Sequence, residues 1–380
     1  MKNKLKVSIV ICTRDRNTYL KTCIDSLLKQ TYLPKEIIIV EDCSNEDENV
    51  FKFFKKEFSD LNFEINKNIT NLFNYKTKII LLRNEKQSGI VKSRNLGIRV
   101  ATGDIIAFLD DDSFARTNWI KNLVKNYTSN KIVGVGGPFI EIGRKVAPVT
   151  KPVKRVSYFS KKEGRMIINY KLQNLFQRHF LPKTNVKILL GGNMSFRRDT
   201  LLKVHGYDSR YTGNAYHEET DTSLRISKLG KIIFDPNVIN YHNTAKKGGN
   251  REIEKFILDN FLFYLFRNTA FFFLKHFGAI TGFKLLKNLV KRQINFLKHR
   301  QTGSSRTYFK VDSIKKSIYT VLKGSIIGLY VWFINRKREV RFIFANPSKI
   351  EAYKFVIIGP TIKIIMLEQK TNFLKKMFGL

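Results

Sequence analysis

An apolar run that ends in three consecutive aspartates is the segment of this sequence best suited to chemistry. Ile105 to Leu109 read as a short buried strand, and Asp110, Asp111 and Asp112 follow it directly. Adjacent carboxylates repel one another and resist burial, so either a cation neutralises them or water solvates them in a turn. Carboxylate oxygens suit Mg²⁺ or Mn²⁺ held against the phosphates of a nucleotide. The triplet therefore predicts a metal site, with an ordinary acidic turn as the alternative.

Two other predicted strands also end in polar residues. Val7 to Cys12 precede Thr13-Arg14-Asp15-Arg16, and Ile37 to Val40 precede Glu41-Asp42. Helical spacing between these strands is typical of βαβ units around a parallel sheet. In such sheets ligands bind beyond the carboxyl ends of the strands. We therefore expect the three polar segments to meet at one crevice.

Composition places the chain among globular proteins. It has 380 residues, of which 43% are hydrophobic and 26% charged, enough for one large or two ordinary domains. Its three cysteines lack the paired short spacing of a zinc site and suggest buried thiols in a reducing compartment. The N-terminus passes directly into a strand, without the long apolar run of a signal peptide.

The C-terminal third combines strong positive charge with aromatic residues. The formal net charge is +38, and residues 251–380 hold 25 Lys and Arg against 7 Asp and Glu. Aromatic runs at 261–266 and 271–273 lie between these basic residues. This mixture favours an anionic membrane surface over nucleic acid as the partner. No stretch reaches about 18 uninterrupted apolar residues, so we do not expect a spanning helix.

Several short motifs, in order and at the right spacing, resemble those of the family 2 glycosyltransferases. The resemblance covers roughly residues 5–245 and rests on seven segments: Val7 to Arg16, Ile39 to Ser44, Gly89 to Gly97, Leu109 to Asp112, Gly191 to Arg198, Gly206 to Asp208 and Glu218 to Arg225. It implies the A-type nucleotide-sugar fold, an α/β Rossmann-like and mostly parallel sheet flanked by helices. We therefore expect a catalytic domain at residues 1–248 and a basic amphipathic helical region, membrane-associating, at residues 249–380.

The resemblance also assigns residues to the donor and to a metal. Asp110 and Asp112 correspond to aspartates that face the nucleotide ribose and the metal, and Asp111 remains open for either role. The place of His242 resembles that of the family's C-terminal metal-binding histidine, and a neutral imidazole suits Mn²⁺. The alternative is a structural histidine. The donor-binding residues implied in addition to Asp110 and Asp111 are Thr13, Arg14, Asp42 and Arg94.

The catalytic base is expected at the start of a helix. Glu218, Glu219 and Asp221 lie in its first turn, where carboxylates also serve as caps. The resemblance points to Glu219 as general base, although many members carry aspartate there, and Glu218 remains a candidate for the base or for orienting the acceptor. Asp221 is expected to hold a neighbouring basic side chain.

Together these residues favour an inverting, metal-dependent glycosyltransferase. The expected partners are a nucleotide-diphosphate sugar, Mn²⁺ or Mg²⁺, and a lipid-linked or glycan acceptor, with the protein peripheral to the cytoplasmic face of the membrane. Two alternatives remain: a nucleotidyltransferase making nucleotide sugars, which would usually carry a glycine-rich loop near the N-terminus, and a non-enzymatic basic protein that binds membrane or nucleic acid.

Overall fold

The computed structural model describes residues 4–57, 77–143, 146–160, 163, 165–246, 248–249, 258–299, 314–335, 350–358 and 361–366. Parts of the basic region expected at 249–380 lie outside these ranges.

The first half of the chain alternates strands and helices, as its apolar periodicity predicts. Its strands are β1 (Val7–Thr13), β2 (Glu36–Glu41), β3 (Thr77–Asn84), β4 (Ile105–Leu109), β5 (Ser113–Ala115), β6 (Ile132–Gly136) and β7 (Phe139–Ile142). Its helices are α1 (Asn17–Leu28), α2 (Val50–Glu57), α3 (Ile90–Val100) and α4 (Trp119–Lys125).

The second half contains shorter strands and two long C-terminal helices. The strands are β8 (Ser157–Ser160), β9 (Arg165–Ile168), β10 (Lys171–Leu172), β11 (Thr184–Val186), β12 (Asn193–Arg197), β13 (Lys231–Phe234), β14 (Asn240–Asn243), β15 (Ile350–Ile358) and β16 (Thr361–Met366). The helices are α5 (Arg198–Lys203), α6 (Glu218–Ile226), α7 (Leu258–His299) and α8 (Ile314–Asn335). Gly278, with φ 76°, interrupts α7.

A large sheet flanked by helices confirms the α/β fold class. Its strand order is β11-β13-β6-β12-β4-β1-β2-β3-β15-β16. The expected parallel arrangement holds for β4-β1-β2-β3. Beyond β4 the sheet is mixed, because β12 enters antiparallel and pairs Asn193 with Leu109. This reversal brings the beginning of β12 to the carboxyl end of β4, where the aspartate triplet follows.

Two apolar layers cover the sheet. Alternating side chains of β1 divide between them, with Ile9 and Ile11 on one face and Val10 on the other. Helices α1, α2 and α4 pack on the first face. Helices α3, α5 and α6 pack on the second, together with the aromatic part of α7.

A second, four-stranded sheet positions the histidine. Its order is β10-β7-β14-β5. The register sets His242 of β14 beside Ser113 of β5 on one side and Glu141 of β7 on the other. Since Ser113 follows Asp112, pairing of the strands brings a residue from the end of the domain to the aspartate triplet.

The C-terminal third differs from the expected amphipathic helical region in two respects. Phe266, Phe271, Phe272 and Phe273 are at most 1% exposed, because α7 packs on the catalytic half and on α8. The run at 271–273 is therefore core, whereas in the run at 261–266 only Leu262 and Phe266 are buried. The region is also not helical throughout, since β15 pairs antiparallel with β3 and extends the sheet.

One helix is longer and more apolar than expected. Lys315–Asn335 has the length and composition to cross a membrane, contrary to the expectation that no helix would. Core helices of soluble proteins can have the same length and composition, so these two properties alone do not show that the helix crosses a membrane.

Candidate active site

Every site residue implied by the sequence lines one cavity at the carboxyl ends of β1, β2 and β4. The cavity has a volume of about 270 Å³. It brings together Thr13, Arg14, Asp42, Arg94, Asp110, Asp111, Asp112, Glu218, Glu219 and His242. The parallel strands explain this convergence, because each ends at the same edge of the sheet.

Two carboxylates and an imidazole form a group that could hold a metal ion. One ligand atom each from Asp110, Asp112 and His242 lies within 4.8 Å of the others. Hard carboxylate oxygens with one imidazole nitrogen match the preferences of Mn²⁺, and of Mg²⁺ less closely because of the nitrogen. The donor set therefore fits the divalent cation that the sequence implies.

Glu141 orients the histidine of this group. His242 Nδ1 lies 3.0 Å from Glu141 Oε2, and His242 Nε2 lies 3.3 Å from Asp112 Oδ1. A neutral imidazole that donates from Nδ1 to Glu141 presents the Nε2 lone pair on the Asp112 side, as in many carboxylate–histidine–metal arrangements. Lys171 Nζ lies 2.8 Å from the other oxygen of Glu141.

The protonation of His242 opposes metal binding. Burial would lower the pKa of His242, but hydrogen bonds to Asp112 and Glu141 outweigh it and raise the pKa to about 9. A cation that takes Nε2 must therefore displace a proton at neutral pH.

Asp111 does not belong to the metal-binding group. Its carboxylate accepts a hydrogen bond from Thr13 Oγ1 at 2.8 Å and pairs with Arg16 Nη1 at 2.9 Å. Arg16 Nη1 also lies 3.6 Å from Asp112. A side-chain cation thus neutralises part of the triplet, so repulsion among three carboxylates does not by itself require a metal.

Asp42 accepts hydrogen bonds from the backbone just before α3. Its oxygens accept from the amides of Ser88 and Gly89 at 2.7 and 2.9 Å and from Asn84 Nδ2 at 2.9 Å. Each carboxylate oxygen can accept more than one bond, so Asp42 retains acceptor capacity at the cavity wall. Arg14 lies at the same wall, 3.4 Å from Asp15.

Arg94 connects the glutamates with the metal group. Its Nη1 bonds Glu218 and lies 3.5 Å from Glu219 Oε1, and its Nη2 lies 3.4 Å from Asp110 Oδ1. Burial raises the pKa of both glutamates, with Arg94 opposing the shift. The Glu219 side chain is 28% exposed against 7% for Glu218, so Glu219 is the carboxylate more open to a substrate.

Two glycines form the floor between these groups. A Cβ on Gly191 would overlap Glu219 Oε1, and a Cβ on Gly192 would lie 2.5 Å from Asp110 Oδ2. Backbone alone fits here, so a bound group can approach both carboxylates closely.

Asp221 holds basic side chains, as expected from the sequence. It pairs with Arg225 Nε at 2.8 Å, Lys275 Nζ at 2.5 Å and His276 Nε2 at 2.7 Å. The contacts from α7 were not foreseen, because Lys275 and His276 lie more than 50 positions away in a segment interpreted as membrane-binding.

Sequence reasoning also missed residues that support the site. Glu141 is one, although a lone carboxylate within the apolar strand Phe139–Ile142 was a usable signal. Asn193 is another: its side chain accepts from Trp119 Nε1 at 2.9 Å and donates to two backbone carbonyls. Gln87 and Asn214 line the cavity without any sequence signal that marks them.

Comparison with known proteins agrees with these features. Residues 8–204 match the family model described as "Glycosyl transferase family 2". The chain is 32% identical over 208 residues to a glucosyl-dolichyl phosphate glucuronosyltransferase of Haloferax volcanii, covering 54% of this chain and 56% of that protein. It is 33% identical over 121 residues to the uncharacterised glycosyltransferase YwdF of Bacillus subtilis, covering 32% and 38%. The match thus spans little more than half of the first relative.

Solved structures with a similar fold have low sequence identity to this chain. Residues 1–349 of TarS from S. aureus align with a TM-score of 0.48 and 14% identity, covering 96% of this chain and 97% of that one. The mannosyltransferase PcManGT from Pyrobaculum calidifontis, solved with GDP-Man and Mn²⁺, aligns with a TM-score of 0.47 and 14% identity, covering 89% of each.

The family model includes β1, β2 and β4, whose carboxyl ends carry the donor-side and aspartate residues of the cavity, and it stops before Glu218 and His242. Because it covers slightly more than half of the sequence, the chain belongs to glycosyltransferase family 2.

Proposed function

We propose that the protein transfers a sugar from a nucleotide-diphosphate sugar to a lipid-linked or glycan acceptor, with inversion and with Mn²⁺ or Mg²⁺. The observation that carries this proposal is the arrangement around Arg94. Its guanidinium contacts Asp110 of the metal-binding group through Nη2 and the partly exposed Glu219 through Nη1, and Gly191 and Gly192 lie against these two carboxylates. Such a cavity can hold a sugar between a diphosphate and a base.

Glu219 is the proposed general base. It would take the proton from the acceptor hydroxyl as the oxygen attacks the anomeric carbon from the face opposite the diphosphate. A raised pKa favours this role, since a base whose pKa lies closer to neutral pH accepts a proton more readily. Glu218, held by Arg94, would orient its neighbour or the acceptor.

Asp110, Asp112 and His242 would hold the cation. When bound, it would neutralise the charge that develops on the departing nucleoside diphosphate. Thr13, Arg14, Asp42 and Asp111 would contact the nucleotide around it. No observation favours the nucleotidyltransferase alternative, and a base-bearing helix beside the metal group supports sugar transfer.

The proposed acceptor is membrane-bound, and the name of the relative from Haloferax volcanii, a glucosyl-dolichyl phosphate glucuronosyltransferase, supports a lipid-linked one. Helix α8 supports membrane contact independently. Its bulky apolar residues recur on one outward face: Tyr319, Leu322, Ile326, Tyr330 and Phe333, between 43% and 62% exposed.

The small residues of α8 point in the opposite direction, onto α7. A Cβ on Gly324 would lie 2.5 Å from the carbonyl oxygen of Phe263, and one on Gly328 would overlap that of Arg267. Helices packed through small residues, with large apolar residues outward, are typical of a lipid environment. With the excess of Lys and Arg in residues 251–380, this favours a peripheral site on the anionic cytoplasmic leaflet.

Asp112→Asn tests the metal-dependent part of the proposal. The change keeps the size of the side chain but removes a charged ligand, so binding of a nucleoside diphosphate should lose its dependence on Mn²⁺, and sugar transfer should stop. Calorimetry of UDP and GDP binding with and without Mn²⁺ measures the effect.

Asp111→Asn is the matched control. It removes the same charge one residue away, from a carboxylate that pairs with Arg16 and Thr13. We expect Mn²⁺ to strengthen nucleotide binding in this variant still. If the two variants respond to Mn²⁺ alike, the metal assignment is wrong.

A further inference from the structure

A second cavity of the molecule is larger than the active-site cavity and has a different chemical character. It is an open groove of about 810 Å³ between the segment at 146–155 and the segment at 158–171. Its basic residues are Lys151, Lys154, Arg155 and Lys171, and no Asp or Glu occurs among its described lining residues. We call it the basic groove.

Apolar side chains share the groove with these cations. Val149, Val153, Tyr158 and Ile168 line it, and the Arg155 guanidinium lies 4.1 Å from the centre of the Tyr158 ring. A surface that offers both cations and branched apolar side chains matches an amphiphile with an anionic head better than a free anion or an uncharged lipid.

A chain of three polar contacts links one end of the groove to the proposed metal site. Lys171 lies at its wall and pairs with Glu141 at 2.8 Å. Glu141 contacts His242 at 3.0 Å, and His242 contacts Asp112 at 3.3 Å. An anion bound near Lys171 would therefore lie close to the cavity where transfer takes place.

The wall that carries Lys171 is also linked to the proposed base, Glu219. Tyr170, between the groove residues Asn169 and Lys171, is buried and its hydroxyl accepts from the Leu190 amide at 3.1 Å. Leu190 precedes Gly191, whose backbone lies against Glu219. The segment 168–171 is thus linked to Glu219 through Tyr170, Leu190 and Gly191.

The groove is also joined to the proposed membrane side. Tyr158 lies on β8 at the groove, and the next residue, Phe159, packs on Phe272, Phe273 and Phe277 of α7. Beyond Phe277, α7 exposes Ile280 and Phe283, by 89% and 49%. The paired strands β8 and β9 therefore connect the groove to α7, the helix that exposes these apolar side chains.

We propose that the basic groove binds the phosphate and the first isoprenoid units of a polyisoprenyl-phosphate-linked acceptor. Lys154 and Arg155 contact the phosphate oxygens, and Val149, Val153 and Ile168 contact the hydrocarbon. The sugar then extends past Lys171 into the cavity, while the lipid tail continues toward the membrane. This inference rests on the proposed transfer to a lipid-linked acceptor and specifies where the carrier binds.

Direct binding of farnesyl phosphate tests the groove separately from catalysis. Isothermal titration of the full chain in a mild detergent should show binding of farnesyl phosphate, with much weaker binding of farnesol, inorganic phosphate and dihexanoyl phosphatidylglycerol at the same concentration. Lys154→Glu combined with Arg155→Glu should weaken farnesyl phosphate binding on the order of 10-fold or more, since two charge-assisted contacts are lost.

Two further variants control for charge and for folding. Lys284→Glu combined with Lys287→Glu makes the same change in charge on α7, away from the groove, and should leave farnesyl phosphate affinity unchanged. Lys154→Arg combined with Arg155→Lys keeps the charge and should keep the binding.

The possible outcomes distinguish failure of the groove assignment from failure of the proposed function. Equal affinity for inorganic phosphate, farnesol or the phospholipid, or equal losses in the groove and α7 double variants, would overturn the groove assignment while Mn²⁺-dependent nucleotide binding remained intact. If the unaltered protein does not bind a nucleoside diphosphate in the presence of Mn²⁺, the proposed function itself is contradicted.

Discussion

Arg94 is the side chain around which the charges of the active site are organised. It is 5% exposed and contacts Glu218, Glu219 and Asp110 at once. A buried guanidinium remains protonated, so it can fix the position of three carboxylates without a metal. Repulsion between carboxylates, from which the sequence suggested a cation, is thus relieved partly by Arg94 and Arg16. The metal assignment now rests on the geometry of Asp110, Asp112 and His242.

Glu218 and Glu219 differ in exposure, and the same substitution, Glu to Gln, tests the role of each. Glu219→Gln keeps the size of the side chain but removes the proposed base, so the turnover number should fall on the order of 10²-fold or more with little change in donor affinity. Glu218→Gln should weaken the contact with Arg94 and reduce turnover less. Steady-state kinetics with saturating donor measures both. If only Glu218→Gln gives the larger loss, Glu218 is the base.

At the scale of elements, α7 is attached to the helix that carries the glutamates. Lys275 of α7 lies 2.6 Å from Asp208 and 2.5 Å from Asp221, and both carboxylates are almost fully buried. His276 adds a contact to Asp221. Because Asp221 is two residues after Glu219, these ion pairs hold α6 in place from outside the segment that matches the family model.

Lys275→Met should destabilise the protein measurably. The change keeps the aliphatic length of the side chain but leaves Asp208 and Asp221 short of a cation. Removing one partner of a buried ion pair typically costs ~3–5 kcal/mol. Here Arg210, Arg225 and His276 remain, so the free energy of unfolding should fall by about 2 kcal/mol.

Lys287→Met is the control for this prediction, because Lys287 is exposed on the same helix. It should change the free energy of unfolding by no more than about 0.5 kcal/mol. Urea denaturation of both variants gives the comparison, and equal stability would mean that the ion pairs of Lys275 do not hold α7 to α6.

At the scale of the whole molecule, α7 belongs to the catalytic half and α8 presents an apolar surface. Phe271 to Phe273 pack in the same core as Val10 and Phe108 of the sheet. Removal of everything after Gly249 would therefore uncover that core, and point variants on α8 are the sounder test of membrane binding.

Tyr330→Ser combined with Phe333→Ser should weaken membrane binding. The unaltered protein should sediment with vesicles of anionic phospholipid more than with neutral ones, because each basic residue near the surface contributes about 1 kcal/mol. High salt should reduce this preference without removing the apolar contribution. The double variant should bind anionic vesicles less well, since it removes two outward aromatic rings.

Phe176→Ser is the matched control for the loss of an exposed ring, because Phe176 is 71% exposed and lies far from α8 in sequence. It should not alter sedimentation. Equal and negligible sedimentation of the unaltered protein with both kinds of vesicle would contradict the membrane proposal.

The sequence by itself determined the central strands of the catalytic half and the edge at which the site forms. Apolar runs such as Ile37 to Val40 and Ile105 to Leu109 predict strands because strand burial is a local pattern. The polar residues at their ends then meet whenever those strands are parallel. The position of Glu218 and Glu219 in the first turn of a helix was readable for the same reason.

Only the tertiary structure decided how the charges are paired and where the C-terminal third lies. Arg94 and Glu218 are 124 positions apart, and Glu141 and His242 are 101 apart, so no local pattern connects them. The aromatic runs of α7 have the same composition whether they face lipid or a protein core. Burial depends on which surface packs against them, and that is set by contacts between distant parts of the chain rather than by local periodicity.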